Sequence, residues 1–308
     1  MRGKIGKLFK YLTDSDYRFL VRSNITGCPR MCDEDFLRRK FKARVGRELD
    51  LDNPRTFNEK LQWLKLHNRR PEYTVMVDKY RVRDYIREKL GEEYLIPLIG
   101  AWDSPDEIDF DALPDRFVLK CNHNSGLGMY ICKDKSKMDV KAVKKELRRG
   151  LAQDYYLTGR EWPYKDVPRK IICEKYITDN AETDCLTDYK FYCFGKEVDS
   201  VMVCIERNTG SPKFYFFDRN WTLKRYNKRG KEAPEDFTLP KPESMDKMFD
   251  IAKQLAEGCD SPFVRVDLYS AKGQIYFGEL TFFPDSGFDP NRLPETDRYF
   301  GELTKLEK

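Results

Sequence analysis

Histidine is scarce in this sequence, with only two in 308 residues, His67 and His123. That argues against a metal centre or nucleophilic triad built on imidazole. No apolar run is long enough to span a bilayer. The basic N-terminus is not followed by the unbroken apolar core of a secretory signal. Internal repeats and low-complexity segments are missing, as are the Rossmann glycine fingerprint and the Walker pattern. Cys28 and Cys32 stand as a lone pair with no second Cys/His pair nearby, which argues against zinc. The nine cysteines are odd in number and mostly sit in strand-like apolar runs, which points to a reducing cytoplasm.

What is present describes a folded body with a polar surface: 14% aromatic and 35% charged residues. The length allows two or three lobes. The net charge of +5 is unevenly spread. Residues 1–47 hold thirteen Lys/Arg against five Asp/Glu, which leaves the remainder at minus three. A basic leader on a slightly acidic body argues against a long nucleic-acid groove, so no nucleic-acid partner is expected. Within residues 1–27, Ile5, Leu8, Phe9, Leu12, Phe19 and Leu20 alternate with basic residues as in an amphipathic helix. Such a helix either rests peripherally on the anionic inner face of a membrane or docks on the body by its apolar side, and both readings stand. Asp33 to Val45 predicts a second basic helix.

The pattern then predicts a helix capped by Thr56 or Asn58 and broken at Pro71, and another over 77–90 stopped by Gly91. A short strand is expected at 94–99, and a polar connector with a short acidic helix over 104–114. Strands follow at 116–121 and 129–132, with a basic helix over 138–151 and a loop over 152–168. Further strands are expected at 169–177, 188–194 and 196–206, and around 214–223. Residues 227–242 read as loop, 242–258 as a helix capped by Ser244, and the tail as a short helix near Leu303. Phe263–Tyr269 and Gln274–Thr281 read as a hairpin turning at Ala271-Lys272-Gly273.

That hairpin carries Asp267 on one arm and Glu279 on the other, with Arg265 on the face of Asp267. Two carboxylates on adjacent strands are costly to bury unless something positive lies between them; a hard cation such as Mg²⁺ would answer that cost. Earlier, Lys120 ends a strand before the loop Asn122-His123-Asn124-Ser125-Gly126-Leu127-Gly128. A lysine there can reach phosphate oxygens while loop N–H groups hold them, although the glycine pair alone is a weak signal, since most such pairs are plain hairpin turns.

Taken in order, Phe57 to Trp63, Asp78-Lys79-Tyr80, Phe117 to Gly126, Asp188 to Tyr192, Arg265-Val266-Asp267 and Gly278 to Pro284 resemble the TupA-like group of the ATP-grasp superfamily. That group is associated with teichuronopeptide and surface-polysaccharide gene clusters. The resemblance covers residues 50–290. It implies an α+β, ATP-grasp fold in which a nucleotide is held between two α+β lobes, here with a basic helical N-terminal extension. The segments would be the extension over 1–48 and an N-terminal lobe over 49–108. A small central lobe with the phosphate loop would span 109–176, and a C-terminal lobe with the metal site 177–308.

Further implications concern the site. ATP phosphates would meet Lys79, Lys120 and Lys190, under the loop carrying His123, Asn124, Ser125 and Gly126. Glu174, Lys175, Tyr176 and Ile177 would form the hinge that reads adenine, and Asp184 would meet the ribose. Asp267 and Glu279 would hold Mg²⁺, with Thr281 standing where many relatives have asparagine. Arg265, Lys120 and Lys190 would act at the transferring phosphoryl group. Arg265, Ser286 and Gly287 would line the acceptor pocket. The implied reaction is ATP- and Mg²⁺-dependent ligation, through an acylphosphate, of an amine to a small-molecule or saccharide carboxylate. Alternatives are a glycosyltransferase, for which Asp14-Ser15-Asp16, Asp33-Glu34-Asp35 and Asp109-Phe110-Asp111 are weak Asp-x-Asp candidates, or a kinase acting on a hydroxyl.

Overall fold

The computed structural model describes residues 2–179, 186–206 and 210–306. They form two compact units, each assembled from separated stretches of chain.

The first unit comprises Met1–Arg70, Asp154–Lys165 and Phe283–Lys308. It holds helices α1 (Arg2–Thr13), α2 (Ser15–Thr26), α3 (Asp33–Val45), α4 (Phe57–His67), α8 (Tyr156–Gly159) and α11 (Pro294–Leu303). The single leader helix expected from the pattern is two helices. Asp14 breaks it, because its carboxylate accepts from the backbone N–H groups of Asp16 and Tyr17, both at 2.9 Å, and so starts α2. Arg18 then donates to the carbonyls of Tyr11 and Leu12 at the end of α1. Helix α4 starts with a full capping box between Thr56 and Glu59. Phe19, Phe36, Leu37, Phe41, Leu49, Leu51 and Phe288 make one buried cluster. Phe57 on α4 meets Phe300 on α11 edge-to-face at 5.7 Å. Helix α8 lies in the stretch expected to be loop.

The second unit comprises Pro71–Gln153 and Asp166–Phe282. Its helices are α5 (Pro71–Val77), α6 (Val82–Lys89), α7 (Val140–Ala152), α9 (Lys228–Glu232) and α10 (Met245–Cys259). Pro71 opens α5 rather than only ending its predecessor, since proline is tolerated in a first helical turn. The helix expected over 77–90 is interrupted at Asp78, whose carboxylate accepts from the N–H groups of Tyr80 and Arg81 in a turn. No acidic helix forms over 104–114; turns replace it. Asn227 caps the short α9 inside the expected loop. The Ser244 hydroxyl faces Ser270 instead of capping α10.

The strands are β1 (Leu98–Trp102), β2 (Phe117–Cys121), β3 (Met129–Cys132), β4 (Ile171–Lys175), β5 (Asp188–Phe194), β6 (Glu197–Ile205), β7 (Lys213–Phe217), β8 (Leu223–Lys224), β9 (Phe263–Ala271) and β10 (Gln274–Thr281). β1 starts later than expected because a 3₁₀ turn occupies Glu92–Tyr94. A four-stranded antiparallel sheet runs β1-β4-β2-β3, and a six-stranded one runs β10-β9-β5-β6-β7-β8. One face of the four-stranded sheet buries Phe117, Leu119, Cys132, Ile171 and Cys173 against Val143 and Leu147 of α7. One face of the six-stranded sheet meets α10, where Phe191 packs edge-to-face on Phe249 at 5.0 Å. Each sheet thus has a second face turned away from its helix.

Candidate functional site

On the six-stranded sheet that second face is charged. Antiparallel register sets Lys190 opposite Asp267 and Tyr192 opposite Arg265. Across the next ladder Thr281 lies opposite Arg265 and Glu279 opposite Asp267. Residues directly opposite share a face, so Lys190, Arg265, Asp267, Glu279 and Thr281 all project together. This depends on an irregularity. Phe277 pairs with Leu268 and Glu279 with Asp267, so Gly278 is an extra residue in β10. With even pairing Glu279 would fall opposite Val266, on the α10 side. A β-carbon at Gly278 would lie 2.9 Å from the Asp267 carbonyl oxygen.

The charges interlock. Arg265 grips Asp267 through two bonds, Nε to Oδ1 at 2.6 Å and Nη2 to Oδ2 at 2.7 Å. The same Nη2 reaches Glu279 at 3.2 Å and the Thr281 hydroxyl at 3.1 Å. Thr281 in turn donates to Glu279 at 3.3 Å. Lys190 pairs with Asp267, and with Asp188 at 3.0 Å. Burial alone would lower the Lys190 pKa, yet the carboxylates of Asp267, Asp188 and Glu279 together outweigh it, raise the pKa and hold the ammonium charged. Burial would raise Glu279, but Lys79, Lys190, Arg265 and Lys120 pull it down to about 2. Its side chain keeps 32% exposure, so this carboxylate is charged and reachable.

Lys79 sits in the turn between α5 and α6. Asn122 donates to Asp78 at 2.7 Å, and the Lys79 N–H donates to the Asn122 carbonyl at 3.1 Å, which fixes that turn beside the end of β2. The Lys79 ammonium donates to the Asn124 carbonyl at 2.7 Å and lies 3.9 Å from Glu279. Its pKa is lowered, chiefly by burial.

On the four-stranded sheet the uncovered face holds Val118 and Lys120 on β2, Met129 and Ile131 on β3, and Ile172 and Glu174 on β4. Lys120 pairs with Glu174 at 2.6 Å. Met129 and Ile131 are 47% and 46% exposed, an apolar shelf flanking that lysine. Sequence reasoning noted β3 only as a strand. Its alternation, with Cys132 buried and Met129 and Ile131 outward, was the available signal, but periodicity does not say which face stays uncovered.

The other expected residues have surroundings of their own. The His123 and Asn124 side chains turn to the end of α7: His123 Nε2 is 3.1 Å from the Gln153 carbonyl, and Asn124 donates to Gly150 and Gln153. Ser125 and Gly126 are exposed, the latter in the left-handed region. Lys175 is exposed, Tyr176 stacks under Arg116 at 4.2 Å, and Ile177 is half-buried. Asp184 lies outside the described residues. Ser286 and Gly287 belong to the first unit, where the Ser286 hydroxyl donates to Glu161 at 2.5 Å.

Among the described residues no three His, Cys, Asp or Glu side chains gather as a ready-made metal cluster. Asp267, Glu279 and Thr281 nonetheless offer oxygen ligands only. Mg²⁺ commonly takes one or two carboxylates and completes its shell with water and substrate phosphates, so this donor set fits it.

A family model described as TupA-like ATPgrasp matches residues 59–305. The chain belongs to the TupA-like ATP-grasp family. The ATP-grasp fold expected from the sequence is therefore its fold. No curated protein matches the chain. Among solved structures, D-alanine–D-alanine ligase from Bacillus anthracis, complexed with ATP, is similar at 14% identity with a TM-score of 0.43. That match covers 74% of this chain and 62% of the Bacillus chain, so this TupA-like chain spans less than two thirds of it. The Helicobacter pylori D-alanine–D-alanine ligase is similar at 12% identity and a TM-score of 0.45, over 81% of this chain and 69% of its own. The ATP-grasp ligase PsnB, complexed with Mg and ADP, gives 11% and 0.40 over 80% and 66%.

Proposed function

We propose that this protein is an ATP- and Mg²⁺-dependent carboxylate–amine ligase of bacterial surface-polysaccharide or teichuronopeptide-type biosynthesis. It would join an amino acid or amine to a carboxylate such as a uronic acid or glutamate. One observation carries the reading. Lys79, Lys120, Lys190 and Arg265 converge with Asp267 and Glu279 beside the apolar shelf of Met129 and Ile131, all within one unit. A nucleotide asks for that combination, an apolar surface for the base and cations for the phosphates.

In this reading the base lies on the shelf near Glu174–Ile177, and the three lysines meet the phosphates. Asp267, Glu279 and Thr281 hold Mg²⁺, which when bound neutralises phosphate charge. A carboxylate is a poor acylating agent because its leaving group would be oxide. Its oxygen attacks the γ-phosphorus, the bond to the ADP oxygen breaks, and an acylphosphate forms. An amine then attacks the carbonyl carbon, phosphate leaves, and the nitrogen gives up a proton. Lys120 and Lys190 offset charge on the transferring group, and Arg265 offsets charge at the reacting oxygens.

The glycosyltransferase reading loses its candidates. Asp14 is the cap of α2, Asp33 to Asp35 form the first turn of α3, and Asp109 accepts from the N–H groups of Asp111 and Ala112 in a turn. The test is product identity. With ATP, Mg²⁺, hydroxylamine and a panel of carboxylic acids, a hydroxamate should appear together with ADP and phosphate. UDP release from a nucleotide-sugar without ATP use would sink the reading, and phosphorylation of a hydroxyl would make the protein a kinase.

For location, the reading is cytoplasmic, with α1 resting peripherally on an anionic membrane surface. The exposed Phe9 and Leu12 lie on one helix with exposed Lys7 and Lys10, which supports that contact. Among the described residues no helix is long and apolar enough to cross a membrane.

A further inference from the structure

Arg83 on α6 is a buried cation given no role by the motifs above. Its Nη1 lies 3.2 Å from Glu174 Oε1 and its Nη2 donates to the Ile96 carbonyl at 2.9 Å. The other oxygen of Glu174, Oε2, meets Lys120 at 2.6 Å. One carboxylate therefore holds two cations, one on each oxygen. The arginine and the glutamate are both almost wholly buried, at 7% and 8% side-chain exposure, while Lys120 keeps 21% and faces the open side.

We propose that Arg83 is a positioning residue that keeps Lys120 electrostatically available to the phosphates of a bound nucleotide. The argument is one of charge. Arg83 and Glu174 cancel, so the triad keeps the single positive charge of Lys120. Without Arg83, Lys120 and Glu174 form a neutral pair, and Lys120 can draw both carboxylate oxygens onto itself. The bond to Ile96 matters as well. It anchors the guanidinium to the chain leading into β1, so the carboxylate stays at a fixed depth and presents Oε2 outward. An arginine suits the task because its planar fork serves two acceptors at once and stays protonated when buried.

This inference rests on the nucleotide-site reading. The test separates the two through MgADP affinity, measured calorimetrically on the full chain for wild type, R83M, R83K and R83M/E174Q. Removing one positive charge near the phosphates should weaken MgADP about tenfold in R83M. R83K, which keeps the charge, should stay within about threefold of wild type. R83M/E174Q removes the carboxylate as well, frees Lys120 and leaves in place the backbone by which the hinge would read adenine, so it should recover most of the loss. A purely structural arginine predicts the opposite, with the double variant as weak as R83M or weaker. That outcome, or an R83M affinity equal to wild type, overturns the proposal and leaves the site intact. Failure of wild type to bind MgADP overturns the nucleotide-site reading itself. Should R83M not fold, R83Q, which retains a donor for the Ile96 carbonyl, takes its place in the comparison.

Discussion

Gly278 holds the register on which the charged face depends, and Gly278→Ala tests it. A β-carbon there would stand 2.9 Å from the Asp267 carbonyl oxygen and 3.0 Å from Cε2 of Tyr269. The first neighbour is backbone of β9, hydrogen-bonded on both sides within the sheet, and cannot swing aside. The chain must either push β9 and β10 apart or give up the extra residue. Overpacking of this kind costs about 1–3 kcal/mol. Giving up the bulge instead turns Glu279 toward α10 and strands a carboxylate among apolar side chains, which costs at least as much. For a chain of this size the urea midpoint should fall by roughly 0.3–1 M. MgADP affinity should fall in parallel, because Glu279 no longer stands opposite Asp267. Urea unfolding and calorimetric MgADP titration on the same preparation give both readouts. An unchanged midpoint with unchanged affinity would refute the bulge argument.

Lys65 is fully buried and donates to Gln62 Oε1 and to the carbonyls of Gly159 and Ser286, at 2.9, 2.7 and 2.7 Å. Lys65→Met leaves these acceptors without that donor and should cost about 2–4 kcal/mol in chemical unfolding. Glu279, with its folded pKa lowered to about 2 from 4.5, should contribute stability that is full above about pH 4.5 and fades as pH falls toward 2. The stability difference between wild type and Glu279→Gln should therefore shrink over that window. Pelleting with vesicles containing anionic lipid should retain the full chain in a salt-sensitive way, and Phe9→Glu/Leu12→Glu should abolish retention.

Much of this molecule was legible in its residues. The span of α3 follows from its acidic first turn, its apolar spacing and Gly46. The helix start, narrowed to a cap at Thr56 or Asn58, and the 263–281 hairpin were also readable, because local chemistry decides them. The split at Asp14 was harder, since one carboxylate accepting two N–H groups competes with helix continuation and periodicity does not record that contest. Of the site, the pairing of Asp267 with Glu279 was visible as two carboxylates on facing arms, but the Gly278 bulge that makes them share a face was not. Arg83 escaped notice because its partners are 13 and 91 residues away, and nothing local marks it. Met129 and Ile131 were read only as part of a strand, because periodicity does not say which face of the sheet α7 covers.

The central claim is that the charged face of the six-stranded sheet and the shelf of the four-stranded sheet form one nucleotide site. A crystal structure with Mg²⁺ and a non-hydrolysable ATP analogue tests it directly. The base should lie against Met129 and Ile131, the phosphates beside Lys79, Lys120 and Lys190, and the metal on Asp267 and Glu279. A nucleotide bound away from these residues, or a metal held without Asp267 and Glu279, would contradict it.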